Sequence, residues 1–420
     1  MGQKTYSMGY IVFLSVVAAL GGILFGYDTA VISGTTEVVS GQFGLDEMAT
    51  GWYVGCALIG SIVGVLVAGM LSDFLGRKKT MLIAAIMFSI SAIGCAVCKG
   101  FTDLVIYRIV GGFGIGVVSI VSPIYISEVA PADKRGTLVS MYQLAITVGF
   151  LLAYLANYLI MKGTTMAEYW RPMLGAEAIP DLLFLVLIFF IPESPRWLEV
   201  RGQRKDNSEE WKALKEPGIL LAVIVGSLIA ILGQFMGVNA VLYYGPTIFK
   251  DAGFEDPLFS TILVGVVNML TTVIALLIID KVGRKQLVWW GVGGMIVCLL
   301  MIGLYFLPST HLPNWFMLTF FLLYVFCTAI SISAVVFVLL SEMYPNRVRG
   351  LAMSIAGFAL WVGTYLIGQL TPWMLVNLTP AGTFFLFAFM CLPYLYIMWK
   401  YIPETTGKTL EEIESYWKNR

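Results

Sequence analysis

The sequence predicts an all-helical membrane protein, with twelve transmembrane helices in two pseudo-symmetric six-helix bundles. Three observations carry that prediction. The composition is 59% hydrophobic and only 12% charged, against about 25% charge in a soluble domain. Apolar runs of membrane-crossing length recur along the chain. A set of short motifs occurs twice in the same order.

The apolar runs lie near residues 10–34, 51–71, 80–98, 104–126, 138–160, 173–191, 219–247, 259–279, 287–307, 315–340, 350–371 and 382–402. Each is expected to be a helix, because lipid offers no partner to free backbone N–H and C=O groups. Lys and Arg gather at Arg77–Lys79, Lys134–Arg135, Arg196–Lys215, Lys281–Lys285, Arg347–Arg349 and the C-terminal tail. These are alternate connections, while the others carry few basic residues, such as Lys99, Lys162 and Lys250. The positive-inside rule therefore places both termini in the cytoplasm of a multi-pass cell (inner) membrane protein. The first span is too long for a cleavable leader and lacks a small-residue cleavage site.

The halves repeat. Asp73, Gly76, Arg77 and Lys78 are echoed by Asp280, Gly283, Arg284 and Lys285. Ser127, Glu128, Pro131, Arg135 and Gly136 are echoed by Ser341, Glu342, Pro345, Arg349 and Gly350. Ile191, Pro192, Glu193 and Ser194 are echoed by Ile402, Pro403, Glu404 and Thr405. Three ordered echoes at nearly one offset predict an N-terminal bundle over 1–192 and a C-terminal bundle over 217–403. A charged cytoplasmic linker, 193–216, joins them, and a cytoplasmic tail, 404–420, follows. Such repeats place a substrate site between the halves near the midplane.

Charges inside the spans are few, and each is costly, so their default reading is functional. Asp28 stands in the stretch LGGILFGYDTAVISG of the first span, in its outer half. Arg108 falls in the outer half of the fourth span and Glu177 in the outer half of the sixth, so the three converge at one depth. A nearby cation favours ionised Asp28 while desolvation opposes it, a balance that lets a proton come and go. Asp181 lies four residues after Glu177, on the same helical face, and carries no assigned role. The cytoplasmic carboxylates and arginines, Asp73, Arg77, Glu128, Arg135, Glu193, Arg196, Asp280, Arg284, Glu342, Arg349 and Glu404, are expected to form ion pairs between the bundles, with Gly76 supplying the tight reversal.

Other chemistries are excluded. Formal net charge is zero, which gives no reason to expect nucleic acid. The six cysteines lie in apolar segments without a histidine nearby, so no metal or redox site is expected, the Cys95/Cys98 pair included. No nucleophile–base set or phosphate loop is present, and neither catalytic residues nor a cofactor are expected.

The chain resembles the sugar porter family of the major facilitator superfamily, and the bacterial proton-coupled monosaccharide symporters in particular. The motifs that carry the resemblance are GGILFGYDTAVISG, DFLGRKK, YRIVGGFGIGVVS, PIYISEVAPADKRG, PESPRWL, GQFMGVNAVLYYGPTIF, DKVGRK, LLSEMYPNRVRG and PETTGKTLEEIE. They span essentially the whole chain. The resemblance implies the major facilitator fold, a lipid bilayer around it, and import of a hexose or pentose with a proton by alternating access. It implies that Asp28 is the proton site, with Arg108 and Glu177 beside it. Animal facilitative carriers typically hold Asn in place of Asp28.

A sugar site needs amides that donate and accept, and an aromatic face. By resemblance, Gln143, Gln234, Asn239, Tyr243, Asn268 and Trp361 fall on sugar-contact positions, with Phe150 and Phe337 beside them. The seventh span also holds Gly233, Gly237 and Pro246, which let it break. Departures reshape this pocket. The family often has a Gln pair at Gly233–Gln234, a Gly-Pro and Trp where Ser333 to Phe337 stand, and a polar residue at Leu360. Some xylose symporters carry Gln in place of Phe150. The central linker has a shortened helical insert. A monomer is expected. Two alternatives stand beside symport: an uncoupled sugar facilitator, and a non-transporting sugar receptor, against which the short tail argues.

Overall fold

The computed structural model describes residues 7–131, 134–200, 208–345, 348–405, 408 and 410–418. Among them, twelve helices are long and apolar enough to cross a membrane. Contacts divide the chain into two compact units, Met1–Phe43 with Cys56–Gln203 and Gly44–Gly55 with Arg204–Arg420.

The first unit holds α1 (Met8–Phe43), α2 (Glu47–Leu75) from Cys56 onward, α3 (Arg77–Val97), α4 (Phe101–Val129), α5 (Arg135–Gly163), α6 (Trp170–Gly175), α7 (Ala178–Phe190) and α8 (Pro195–Val200). The second holds α9 (Ser208–Leu214), α10 (Pro217–Gln234), α11 (Val238–Asp251), α12 (Pro257–Val282), α13 (Arg284–Tyr305) and α14 (Asn314–Thr328). A π-helical turn, Ala329–Ser333, then leads into α15 (Ala334–Met343), α16 (Arg349–Asn377), α17 (Thr379–Lys400) and α18 (Leu410–Lys418).

The internal repeat extends from motif to packing. In the first unit the helix pairs include α1 on α5, α3 on α4 and α3 on α7, beside an extensive α1 on α4 contact. In the second they are α10 on α16, α13 on α14 and α13 on α17. The two units thus share the pairings of first with fifth, third with fourth and third with sixth span, while the first-with-fourth contact is extensive only in the first unit.

Glycines set the closest approaches. A Cβ on Gly26 of α1 would fall on the Ile146 carbonyl of α5, and one on Gly149 would lie 3.0 Å from the Gly26 Cα. A Cβ on Gly112 of α4 would overlap the backbone of Ala57 in α2. Backbones this close gain van der Waals contact that lipid-facing side chains cannot supply.

The seventh span breaks as its glycines suggest. Gly237 stands between α10 and α11 at φ 90°, a left-handed geometry. The Tyr324 hydroxyl donates to the Met236 carbonyl at 2.7 Å, satisfying backbone that the break frees. A Cβ at Gly237 would also press on the Phe387 ring, 2.5 Å away. Gly237→Ala is therefore expected to destabilise the chain by about 1–3 kcal/mol, seen as a lower melting temperature in detergent.

The boundaries differ from those expected in three places. Residues 193–200 pack on the first unit: Trp197 Nε1 donates to the Asp73 carbonyl at 2.9 Å, and Trp197 is buried. Residues after 404 pack on the second unit, where α18 buries Ile413 and Trp417 against α10 and α15. Its apolar residues recur with helical period, so a segment that is charged on average still has a core-facing side. Residues 44–55 cluster with the second unit: Gln369 Nε2 donates to the Met48 carbonyl at 2.8 Å, and a Cβ on Gly51 would meet the Gln369 backbone.

Candidate functional site

Asp28 is placed by its neighbours in sequence. Gly26 presses against α5, and two residues further on the helix has turned by about 200°. Asp28 therefore faces α4. There Gly111 makes room: a Cβ on it would sit 2.8 Å from Asp28 Oδ2 and 2.9 Å from the Ser91 Cβ. Arg108 stands one turn before Gly111, on the same side of α4. Its Nη1 donates to Asp28 Oδ1 in a short ion pair, and also reaches the Asp28 carbonyl oxygen at 3.4 Å. Both residues are buried, with 0% of Asp28 and 2% of Arg108 exposed.

Glu177 and Asp181 reach the same region through a break in the sixth span. Pro180 lacks an N–H and its ring would clash with the carbonyl four residues back, that of Ala176. The helix accordingly ends at Gly175 and restarts at Ala178, with the Ile179 N–H bonded to the Ala176 carbonyl at 3.2 Å. Glu177 sits at this joint, 3% exposed, and Asp181 is fully buried. Glu177 lies within Coulombic range of Asp28, Asp181 and Arg108.

The α6 segment is fixed at its N-terminal end by a polar clasp. Trp170 Nε1 donates to Gln42 Oε1 at 2.7 Å, Arg171 Nε donates to Glu168 Oε2 at 2.6 Å, and Gln42 Nε2 donates to Glu168 Oε1. The Arg171 guanidinium and then the Gln42 amide hold the Glu168 carboxyl below the usual carboxylate range. A second clasp, Asn157 Nδ2 to the Val31 carbonyl at 3.1 Å, ties α5 to α1 above Asp28. The contacts that join different helices, Gln42 with Glu168 and Trp170 and Asn157 with Val31, are not signalled by sequence spacing, because each spans more than a hundred positions.

The expected sugar contacts fall in both units. In the first, Gln143 is half-buried and carries no amide hydrogen bond among the described residues. Phe150 is buried, with its ring 6.1 Å from that of Tyr154. In the second, Asn239 Nδ2 donates to Gln234 Oε1 at 2.6 Å, and the Thr364 hydroxyl donates to the same oxygen at 3.1 Å. Gln234 Nε2 and Asn239 Oδ1 are thus left as a donor and an acceptor side by side. Thr364 is a contributor that the sequence motifs do not mark.

Tyr243 stands one turn from Asn239, and Trp361 one turn from Thr364, both buried. Asn268 is 9% exposed, without an amide hydrogen bond among the described residues. The side chains of Phe337 and Asp280 lie outside the described residues.

At the basic-loop ends the two units build the same cradle. Arg77 forks onto Glu128, Nε to Oε2 at 3.1 Å and Nη2 to Oε1 at 3.0 Å, and reaches Asp73 at 2.9 Å. Glu193 accepts from the backbone N–H groups of Arg77 and Lys78 at 2.8 and 3.0 Å, at the positive N-terminus of α3. The Ser194 hydroxyl donates to Glu128 at 2.5 Å. The second unit repeats this: Arg284 Nη2 on Glu342 at 3.0 Å, the N–H groups of Arg284 and Lys285 on Glu404 at 3.2 and 3.1 Å, and the Thr405 hydroxyl on Glu342 at 2.5 Å. Gly76 and Gly283 turn into these cradles at φ 98° and 97°.

Within each unit, then, the arginine that meets the motif carboxylate is that of the Gly-Arg-Lys turn, Arg77 or Arg284. Arg135 and Arg349 make no such contact among the described residues. Arg135 and Arg196 are exposed, and Arg349 donates to the Tyr344 carbonyl at 3.3 Å. The reason is geometric: the turn arginine opens a helix directly beneath the carboxylate, whereas Arg135 and Arg349 begin the following helix.

Comparison with known proteins agrees with this architecture. The family model described as "Sugar (and other) transporter" matches residues 14–213 and 199–417. The D-xylose-proton symporter of Escherichia coli is 38% identical over 477 aligned positions, covering 98% of this chain and 97% of that protein. The arabinose-proton symporter of Bacillus subtilis is 36% identical over 450 positions, covering 99% and 96%. A solved structure of the major facilitator superfamily proton:xylose symporter XylE, bound to 6-bromo-6-deoxy-D-glucose, superposes with a TM-score of 0.81 at 37% identity, covering 98% of this chain and all of that one. With a repeated six-helix architecture, doubled basic-loop cradles and matches along its whole length, this chain belongs to the sugar transporter family of the major facilitator superfamily.

Proposed function

We propose that the chain imports a monosaccharide, a hexose or a pentose, together with a proton, by alternating access. The single observation that carries this reading is the buried Asp28–Arg108 ion pair. A pair with almost no exposure costs much desolvation and gives little net stability, so its retention points to a working part. Relatives named as proton symporters for xylose and arabinose support the same assignment.

The roles follow from chemistry. Asp28 takes up the proton, Arg108 holds its charge when the proton is absent, and Glu177 supplies a nearby carboxyl. Gln143, Gln234, Asn239 and Asn268 bond sugar hydroxyls, while Tyr243, Trp361, Phe150 and Phe337 supply apolar surface. The cradles of Asp73, Gly76, Arg77, Glu128 and Glu193, and of Arg284, Glu342 and Glu404, act as latches on the cytoplasmic side, a role shared by Asp280, Arg135, Arg196 and Arg349. The protein sits in a bacterial inner membrane with both termini in the cytoplasm and works as a monomer.

The test uses purified protein in liposomes with a pH dye inside, and xylose, arabinose and glucose added outside in turn. Inward sugar flow is expected to acidify the lumen. Counterflow of labelled sugar with no pH change would establish an uncoupled facilitator instead.

A further inference from the structure

Two thiols meet in the second unit, on spans that no motif joins. Gly294 of α13 presses on α14: a Cβ there would lie 2.6 Å from Cys327 Sγ. Cys298 stands one turn after Gly294 on the same face of α13. Helical side chains lean toward the N-terminus, back over the preceding turn. The Cys298 thiol is thereby brought down onto that of Cys327, and the two interact side chain to side chain. The neighbouring turn fixes the register. A Cβ on Gly291 would lie 2.2 Å from the Ser331 Cβ and 2.9 Å from the Cys327 carbonyl oxygen. That carbonyl accepts from the Ser331 hydroxyl at 2.5 Å. Cys298 is 5% exposed and Cys327 is half-buried, so an uncharged molecule dissolved in the bilayer would enter from the Cys327 side.

Two sulfurs without a third ligand select the metal. Among the described residues, no group of three or more His, Cys, Asp or Glu side chains could share an ion. Zinc takes four ligands, and the hard cations take oxygen, so the pair serves neither. We propose that Cys298 and Cys327 form a two-thiol site for mercury(II), a soft cation that binds two sulfurs in line. Supplied as neutral mercuric chloride, the metal exchanges ligands without redox change. Two S–H and two Hg–Cl bonds break, two Hg–S bonds form, and two protons leave with two chlorides. Reactant and product are both uncharged, so no net charge is buried in apolar surroundings. Copper(I), singly charged, would leave a net negative bis-thiolate there, which disfavours it. The second Hg–S bond is intramolecular, so the pair holds the metal against a competing single thiol. The bridge also closes a loop between α13 and α14 in the unfolded chain, and so stabilises the fold as a disulfide does.

The experiment loads detergent-solubilised protein with excess mercuric chloride and then washes it with excess glutathione. The chain used carries Cys56→Ala, Cys95→Ala, Cys98→Ala and Cys391→Ala, so that Cys298 and Cys327 are the cysteines left. Elemental analysis is expected to find about one mercury retained per chain. Adding Cys298→Ala or Cys327→Ala is expected to abolish retention. Bound metal is expected to raise the melting temperature of the chain with both thiols and of neither single-thiol variant. No retention by the pair, equal retention by a single thiol, or an unchanged melting temperature of the loaded pair would each overturn the proposal. If the multiple variant does not fold, the wild type decides. After the same loading and wash, N-ethylmaleimide is added in sodium dodecyl sulfate and the peptides are read by mass spectrometry. Cys298 and Cys327 are both expected to be shielded by the metal and both labelled without it. Labelling of either one in the loaded protein would overturn the site.

Discussion

Asp28→Asn is expected to abolish uphill sugar accumulation while leaving counterflow of labelled sugar in place. Asparagine has nearly the shape of aspartate, and its Oδ1 can still accept from Arg108 Nη1, so α1 and α4 stay joined. It cannot exchange a proton near neutral pH. Coupling needs one group whose charge differs between two states of the carrier, since a driving ion shifts an equilibrium only by its differential binding. Removing that group removes the drive and leaves equilibration. The measurement is uptake against an imposed pH gradient in liposomes, set beside counterflow in the same preparation. Wild-type accumulation in the variant would sink the assignment of Asp28.

The second large effect is on stability. Arg108→Leu is expected to cost about 3–5 kcal/mol, because it strands Asp28 as a buried charge without a counter-ion. The double variant Arg108→Leu/Asp28→Asn is expected to recover most of that loss, since the stranded charge is then gone. A double-mutant cycle by thermal melting in detergent separates this from simple loss of packing. If Arg108→Leu melts like the wild type, the ion pair carries little structural weight, and Asp28 is protonated or solvated in the resting carrier.

Much of the fold is written in the chain because membrane physics leaves few options. An apolar run of twenty residues in lipid has only the helix open to it, and a doubled motif implies a doubled bundle. The meeting of Asp28 with Arg108 was also accessible, since rare charges at one depth have few partners other than one another. The partner of Glu128 was not. Arg77 and Arg135 stand equally among the candidates by motif, but Arg77 opens α3 right against the carboxylate and forks onto it. The domain ends were missed for a related reason. Charge density marks 193–216 and 404–420 as aqueous, yet Trp197, Ile413 and Trp417 give these segments buried anchors. The Gln234–Asn239–Thr364 cluster joins two motif residues to one that no motif marks, and only the fold brings α16 to α10.

The π-helical turn at Ala329–Ser333 has a consequence for how the tenth span can be compared with its relatives. A wider turn accommodates one residue more than an α-helical turn. Each residue of an α-helix advances about 100° around the axis, so the stretch from Ala334 to Glu342 is rotated by that amount against an unbroken helix. Aligning the span letter by letter with a carrier lacking this turn would therefore assign the wrong side chains to the solute path. Closing the turn to regular α-helix would swing the Glu342 cradle about its own axis without any change at the far end of the span.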